Sequence, residues 1–215
     1  MEEATSREKV LKRVRNALLK KEELPFPSLN MEASVFHPLE DLPEIVFAQR
    51  FTDAAGKFVY CENQSELIRN LKEFAQEYKW EKIFCRDEKL KKLAQEADLE
   101  VEDDESELTR TKVALTDCEY LIARFGSILI TGRQASGRQL AAFPDHHIVV
   151  ARTGQTVNEI HEALSGIKSK YGRMPSTVTM ITGPSRTADI EKTLVMGAHG
   201  PRELFLFLLD EAQPA

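Results

Sequence analysis

The sequence predicts an α/β fold on a mainly parallel sheet, preceded by an N-terminal helix and a proline-rich arm. Three observations carry this reading. From residue 57 onward, short β-branched or aromatic runs alternate with amphipathic stretches of helical period, as parallel βαβ units require. Ahead of them, Pro25, Pro27, Pro38 and Pro43 punctuate a segment in which fixed φ angles and missing N–H groups exclude regular helix. The composition, 42% hydrophobic and 30% charged over 215 residues, supports one sizeable core and disfavours disorder or a low-complexity chain.

Val10, Leu11, Val14, Ala17 and Leu18 form a helical stripe flanked by Lys9, Lys12, Arg13, Arg15 and Lys20. An amphipathic helix over 6–20 follows, with Ser6 as its cap and Glu8 in its first turn. Its basic face reads as solvated rather than as a dock for an acidic partner. Residues 1–50 are therefore helix and arm, and 51–215 the α/β domain. The arm carries Phe26, Leu29, Val35, Phe36, Ile45, Val46 and Phe47, too apolar a set for a solvated tether. It should pack on something, and a homo-oligomer joined through the arm is one way to do so.

Strands are expected over 57–61 and 82–85, each followed by a helix, over 63–78 and 87–97. Asn63 and Glu66 approximate a capping box, and Leu67, Leu71, Phe74 and Tyr78 line one helical face. Between Glu96 and Glu107 lie eight carboxylates and no base, a run that repulsion keeps on the surface. It lacks the alternating ligands and turn glycine of a calcium loop, so no metal is expected there. Further strands are expected over 127–131, 147–152, 177–182 and 203–209. A helix over 157–170 opens with Thr156 and Glu159, and a short one over 188–196 ends before Gly197.

A net charge of −6 provides no sequence-wide basic field for nucleic acid or anionic lipid. No apolar run approaches the roughly 20 residues of a membrane span, and no export signal is apparent, so a cytoplasmic protein is expected. Cys61, Cys85 and Cys118 form no CxxC pair, which leaves the chain no obvious ligands for a redox cofactor of its own. They read as small buried hydrophobes.

The stretch from Thr182 through Gly183, Pro184, Ser185, Arg186, Thr187 and Asp189 to Glu191 reads as a strand end turning into a helix N-terminus. Free amides there suit an anion, with Ser185, Arg186 and Thr187 as added donors, at the carboxyl end of a parallel strand. The same residues could instead merely cap the helix and turn the chain. His199 sits in a loop with Gly197 and Gly200 on either side, where it could exchange protons; it and Asp189 are the catalytic candidates. Gly126, Ser127, Arg133 and Arg138 flank a strand and offer guanidinium groups to a carboxylate or phosphate. The loops near Gly137, Pro184 and Gly200 are expected to share one cleft. His146 and His147 should point to opposite sheet faces and cannot share a metal. GxGxxG, GxxxxGK[ST], GxSxG and HExxH signatures are missing.

Together these motifs resemble the LutC/YkgG family of LUD domains: Gly126-Ser127, Ser136-Gly137-Arg138, Pro144 through His147, Thr182 through Glu191, and Gly197 through Pro201, in order over about residues 57–210. The resemblance implies a three-layer α/β/α fold of the NagB/RpiA/CoA-transferase group. It further implies a non-redox subunit working with two iron-sulfur partner proteins in oxidising L-lactate to pyruvate, the clusters residing in the partners. The ligand-binding residues it marks are Gly126, Ser127, Arg138, Gly183, Pro184, Ser185, Arg186, Thr187 and Gly200, for a small anionic ligand. One departure stands out: Arg124-Phe125 occupies the place where relatives often carry Glu-Thr, so no role is carried over to those two. A freestanding cyclo-ligase-like or sugar-phosphate-isomerase-like enzyme, or a metabolite-binding regulatory module, are the competing readings.

Overall fold

Both faces of the two longest strands are apolar, so the sheet they form must be covered on each side. In β7 (His146–Arg152) and β12 (Glu203–Leu209), Ile148, Val150, Phe205 and Phe207 point one way, and Val149, Ala151, Leu204, Leu206 and Leu208 the other. The computed structural model describes residues 5–19, 30, 37–137, 139–188, 194–197 and 200–211. The chain divides into two compact units, Met1–Pro38 and Leu39–Ala215.

The first unit contains α1 (Ser6–Leu19). Its cap is Thr5 rather than Ser6: the Thr5 amide donates to Glu8 Oε2 at 2.8 Å, and the Glu8 amide to Thr5 Oγ1 at 3.4 Å. Phe26, Leu29, Val35 and Phe36 of the anticipated arm lie outside the described residues.

In the second unit six strands form one parallel sheet in the order β1-β12-β7-β4-β2-β3. Besides β7 and β12 the sheet contains β1 (Lys57–Cys61), β2 (Lys82–Phe84), β3 (Glu100–Glu102) and β4 (Val113–Thr116). One face is covered by α3 (Gln64–Tyr78) and α4 (Glu88–Glu96), through Leu67, Leu71, Ala75, Leu90 and Ala94. Asn63 and Asp87 cap these helices, Asn63 accepting from the Glu66 amide as the sequence predicts.

The other face is covered by α2 (Pro43–Asp53) and by β5 (Tyr120–Ile122) and β6 (Ser127–Thr131) of a second, four-stranded sheet, ordered β8-β5-β6-β9. That sheet is completed by β8 (Thr156–Val157) and β9 (Val178–Ile181), and α5 (Ile160–Tyr171) packs on it through Ala163 and Ile167. The fold is thus the expected α/β class, with a mainly parallel sheet flanked by helices. The expected arm ends in helix, because Pro43 sits at the first helical position, where a missing N–H costs nothing. Phe47 and Phe51 of that helix are fully buried.

Two expectations near the C-terminus are corrected. β9 lies antiparallel to β6 in the small sheet and is not a strand of the parallel one. Where a helix over 188–196 was expected, β10 (Arg186–Ala188) and β11 (Leu194–Met196) pair as antiparallel strands, Thr187 opposite Val195. The β-branched residues there suit extended backbone, and ladder bonds replace the helical ones. Residues 189–193 lie outside the described set. Among the described residues no helix is long and apolar enough to cross a membrane.

Candidate functional site

Of the three loops expected to share one cleft, those near Pro184 and Gly200 meet. Ser127, fully buried at the start of β6, hydrogen-bonds the Thr182 hydroxyl at 2.7 Å. The Ser185 amide donates to the Pro201 carbonyl at 2.8 Å, and the Gly197 amide to the Ser185 carbonyl at 3.0 Å. A Cβ on Gly200 would stand 3.2 Å from that of Ser185. The loops around Pro184 and Gly200 therefore form one structure.

Its chemistry differs from the expected helix N-terminus. The Ser185 amide is already bonded, and Arg186 through Ala188 are strand, so the described residues of the motif present no stack of free helical amides. The motif glycines answer to α2 instead. Gly183 has φ +75°, and a Cβ would lie 2.2 Å from the Ala54 carbonyl oxygen just past the end of α2. Gly126 has φ +59°, and its Cβ would lie 2.3 Å from the Phe51 backbone nitrogen. Arg186 also donates through Nη2 to the Ala54 carbonyl, a cation meeting the negative end of a helix. Only glycine permits both the left-handed conformation and this approach.

The third loop leaves β6 at its far end from Ser127, held by the Thr131 amide on Gln134 Oε1 at 2.8 Å and the Gly132 amide on the Thr177 carbonyl at 3.1 Å. A Cβ on Gly137 would meet nothing within 4 Å. Pro184 is buried at the motif turn, and Thr187 lies in β10. Arg138, Asp189 and His199 lie outside the described residues. Arg124, the departure from the family pattern, pairs with Glu159 at 2.6 Å, in a largely buried ion pair.

Sequence reasoning passed over Glu119 and the partners of the two adjacent histidines. Burial alone would push the Glu119 carboxyl up, but bonds from Lys170 at 2.7 Å, Tyr171 at 2.6 Å and Thr131 at 2.8 Å outweigh it and hold the group below its ordinary value. His147 is fully buried, its Nε2 bonded to Thr116 Oγ1 at 2.8 Å, and burial lowers it to about 4. His146 faces the other way, accepting from Trp80 Nε1 at 2.7 Å, so the two rings diverge as alternation requires. A single polar residue in an apolar run gives no signal of such pairing.

A cleft of about 310 Å³ opens elsewhere, beside Trp80, Lys82, Glu102, Arg110 and Lys112. None of the motif residues lines it. Two of its cations are paired, Lys82 with Glu102 at 2.6 Å and Arg110 with Glu107 at 3.5 Å.

The family model of the LUD domain matches residues 45–209. The chain belongs to the LUD domain family. Curated relatives of this LUD domain include Lactate utilization protein C of Deinococcus radiodurans, 37% identical over 100 residues, covering 46% of this chain and 47% of that protein. Lactate utilization protein C of Halalkalibacterium halodurans is 33% identical over 97 residues, 41% of this chain and 40% of that one. Uncharacterized protein YkgG of Escherichia coli is 29% identical over 114 residues, 49% and 47% respectively. The LUD domain thus aligns with less than half the length of each. A crystal structure of a DUF162 family protein from Deinococcus radiodurans superposes with a TM-score of 0.57 at 20% identity, over 78% of this chain and 96% of that one, and shows the same fold.

Proposed function

We propose that this LUD domain serves lactate utilisation as a subunit without a redox centre of its own, working beside iron-sulfur partner proteins. The observation that carries the reading is the similarity to proteins named Lactate utilization protein C. Oxidising L-lactate to pyruvate removes two electrons and two protons, and a carrier must take the electrons. The chain's thiols are poor candidates to ligate one. Cys61, Cys85 and Cys118 are all buried, and burial pushes each thiol up, Cys85 to about 12, which disfavours the thiolate that binds metal. Among the described residues no group of three or more His, Cys, Asp or Glu side chains stands ready for a metal ion.

The junction of the two motifs is the proposed contact for a small anion such as a carboxylate. Ser185 supplies a hydroxyl beside Gly200, and Arg186 keeps further N–H donors beyond the one spent on Ala54. Deleting the gene should abolish growth on L-lactate and leave growth on glucose intact, and the tagged chain should copurify with iron-sulfur proteins. Normal growth of the deletion strain on L-lactate would refute the role. Arg186→Ala, restored to the deletion strain, tests the junction: it should slow growth on lactate.

A further inference from the structure

The face of the parallel sheet opposite α3 and α4 is unevenly covered. Over β7 and β12 it carries α2, β5 and β6. Over β2 and β4 the buried cover is Leu108, from a 3-10 turn (Glu105–Arg110), and Leu140, both packed with Phe84 and Ala114. The cleft of about 310 Å³ opens at the margin of this thinner layer, along Lys82 and Phe84 of β2, Glu102 of β3 and the end of the 3-10 turn. Its volume reaches the lower end of the roughly 300–1,000 Å³ of small-molecule sites, and is about ten times the roughly 30 Å³ that a water molecule occupies in the liquid.

The charges that line this cleft do not cancel. Lys82 opens β2 and Lys112 stands just before β4, each two residues ahead of the aligned pair Phe84 and Ala114, so two cations lie abreast on neighbouring strands. Lys82 is held by Glu102 at 2.6 Å, and the other oxygen of Glu102 accepts from the Asp103 and Asp104 amides at 3.0 Å. Lys112 has no such partner. Nor have Lys79 and Glu81, which line the same cleft: among the described residues these three side chains make no ion pair and no hydrogen bond. All three residues are exposed, within reach of a solute. Lys79 also adopts φ +56° at the C-terminal cap of α3, a left-handed position that usually falls to glycine. The chain keeps a long cationic side chain there at the cost of backbone strain.

Two unpaired cations and one unpaired carboxylate define their own complement, a double negative charge beside a hydrogen-bond donor. A single carboxylate brings one charge and leaves a lysine unmatched. A phosphate monoester carries about −1.5 to −2 at pH 7 on three strong acceptor oxygens, and lysine meets phosphate as a point charge. A hydroxyl on the same molecule donates to the Glu81 carboxylate. We propose that this cleft binds a small hydroxyl-bearing phosphate monoester, its phosphate met by Lys79 and Lys112 and its hydroxyl by Glu81. The site goes beyond the proposed role in lactate utilisation and does not depend on it. Two sources carry that chemistry, the ribose phosphate of a nucleotide and the phosphate of a short polyol.

Trp80 lines the cleft and is the one tryptophan of the sequence, so its emission reports occupancy. Titration of the full chain with AMP and, separately, with glycerol 3-phosphate distinguishes the two sources, and calorimetry checks each result. One of the two esters should shift the emission saturably, and Lys112→Ala should weaken it about tenfold, the scale of one hydrogen bond to a charged group. Lys112→Arg keeps the charge and should keep the binding. Lys79 also stands at the negative end of α3, so Lys112 is the deciding position, and circular dichroism confirms that its variants are folded. No binding of either ester at millimolar concentration overturns the proposal. So does inorganic phosphate or adenosine binding as tightly as the ester, the first marking an adventitious ion only. Ester binding that Lys112→Ala leaves unchanged, including binding that responds to Arg186→Ala alone, overturns it too. A lactate growth defect without any ester binding would leave the functional role standing and remove this site.

Discussion

His147 shows how one residue can impose a condition on the whole fold. Its ring is fully buried, and burial holds it at about 4, so it is neutral when folded at neutral pH. In the unfolded chain it titrates near the ordinary value of about 6.5. Between those values the unfolded state binds a proton that the native state refuses, so stability falls as pH drops through that window and is fully present above it. The loss should reach about 3 kcal/mol, from about 1.36 kcal/mol per pH unit. Denaturant unfolding of wild type and His147→Gln from pH 4 to 7 would show it: the wild-type curve should steepen relative to the variant, and parallel curves would reject the account. At this scale the sequence was legible in residue type and illegible in partners. Gly183 beside Ser185 and Arg186 looks like an anion loop on paper. What the glycine admits is the carbonyl of Ala54, more than a hundred residues earlier, which no local pattern reveals.

Elements with a strong period or a cap were readable, and short ones were not. α3 follows from Asn63, Glu66 and the Leu67, Leu71, Phe74, Tyr78 stripe, and its cap is found where expected. β4 and β5 span only four and three residues, too few for alternation to register. The β10 and β11 pair was mistaken for helix because a cap-like turn preceded it; cross-strand pairing overrode that local signal. α2 was hidden by its proline, though its apolar residues announced that it must pack. Its docking is specific enough to test. Phe51→Ala removes a fully buried ring stacked on Phe47 at 5.5 Å and should cost about 3–5 kcal/mol. Gly126→Ala adds a methyl against the same helix at a positive φ and should cost at least about 2 kcal/mol. Chemical denaturation measures both, and near-wild-type midpoints would show that the helix is not held there.

At the scale of the whole molecule, the alternation of strands and helices disclosed the fold class and the parallel sheet, whereas strand order stayed hidden. Order depends on which apolar strands pair across long loops, and β7 and β12 are equally apolar on both faces. The result is a sheet rich in distant pairings: Lys57 aligns with Phe205, and Glu203 with His146. Such topologies close large loops before they gain contacts, so refolding from denaturant should take milliseconds to seconds rather than microseconds. Stopped-flow Trp80 fluorescence would follow it, and a complete microsecond phase would contradict the reasoning.

β12 lies between β1 and β7, although both neighbours precede it in the chain. During synthesis on the ribosome, those two strands emerge with nothing to join them, each presenting an unsatisfied backbone edge in a crowded solution. The nascent polypeptide must keep that gap open, guarded from other chains, until β12 slides in and zips the halves together.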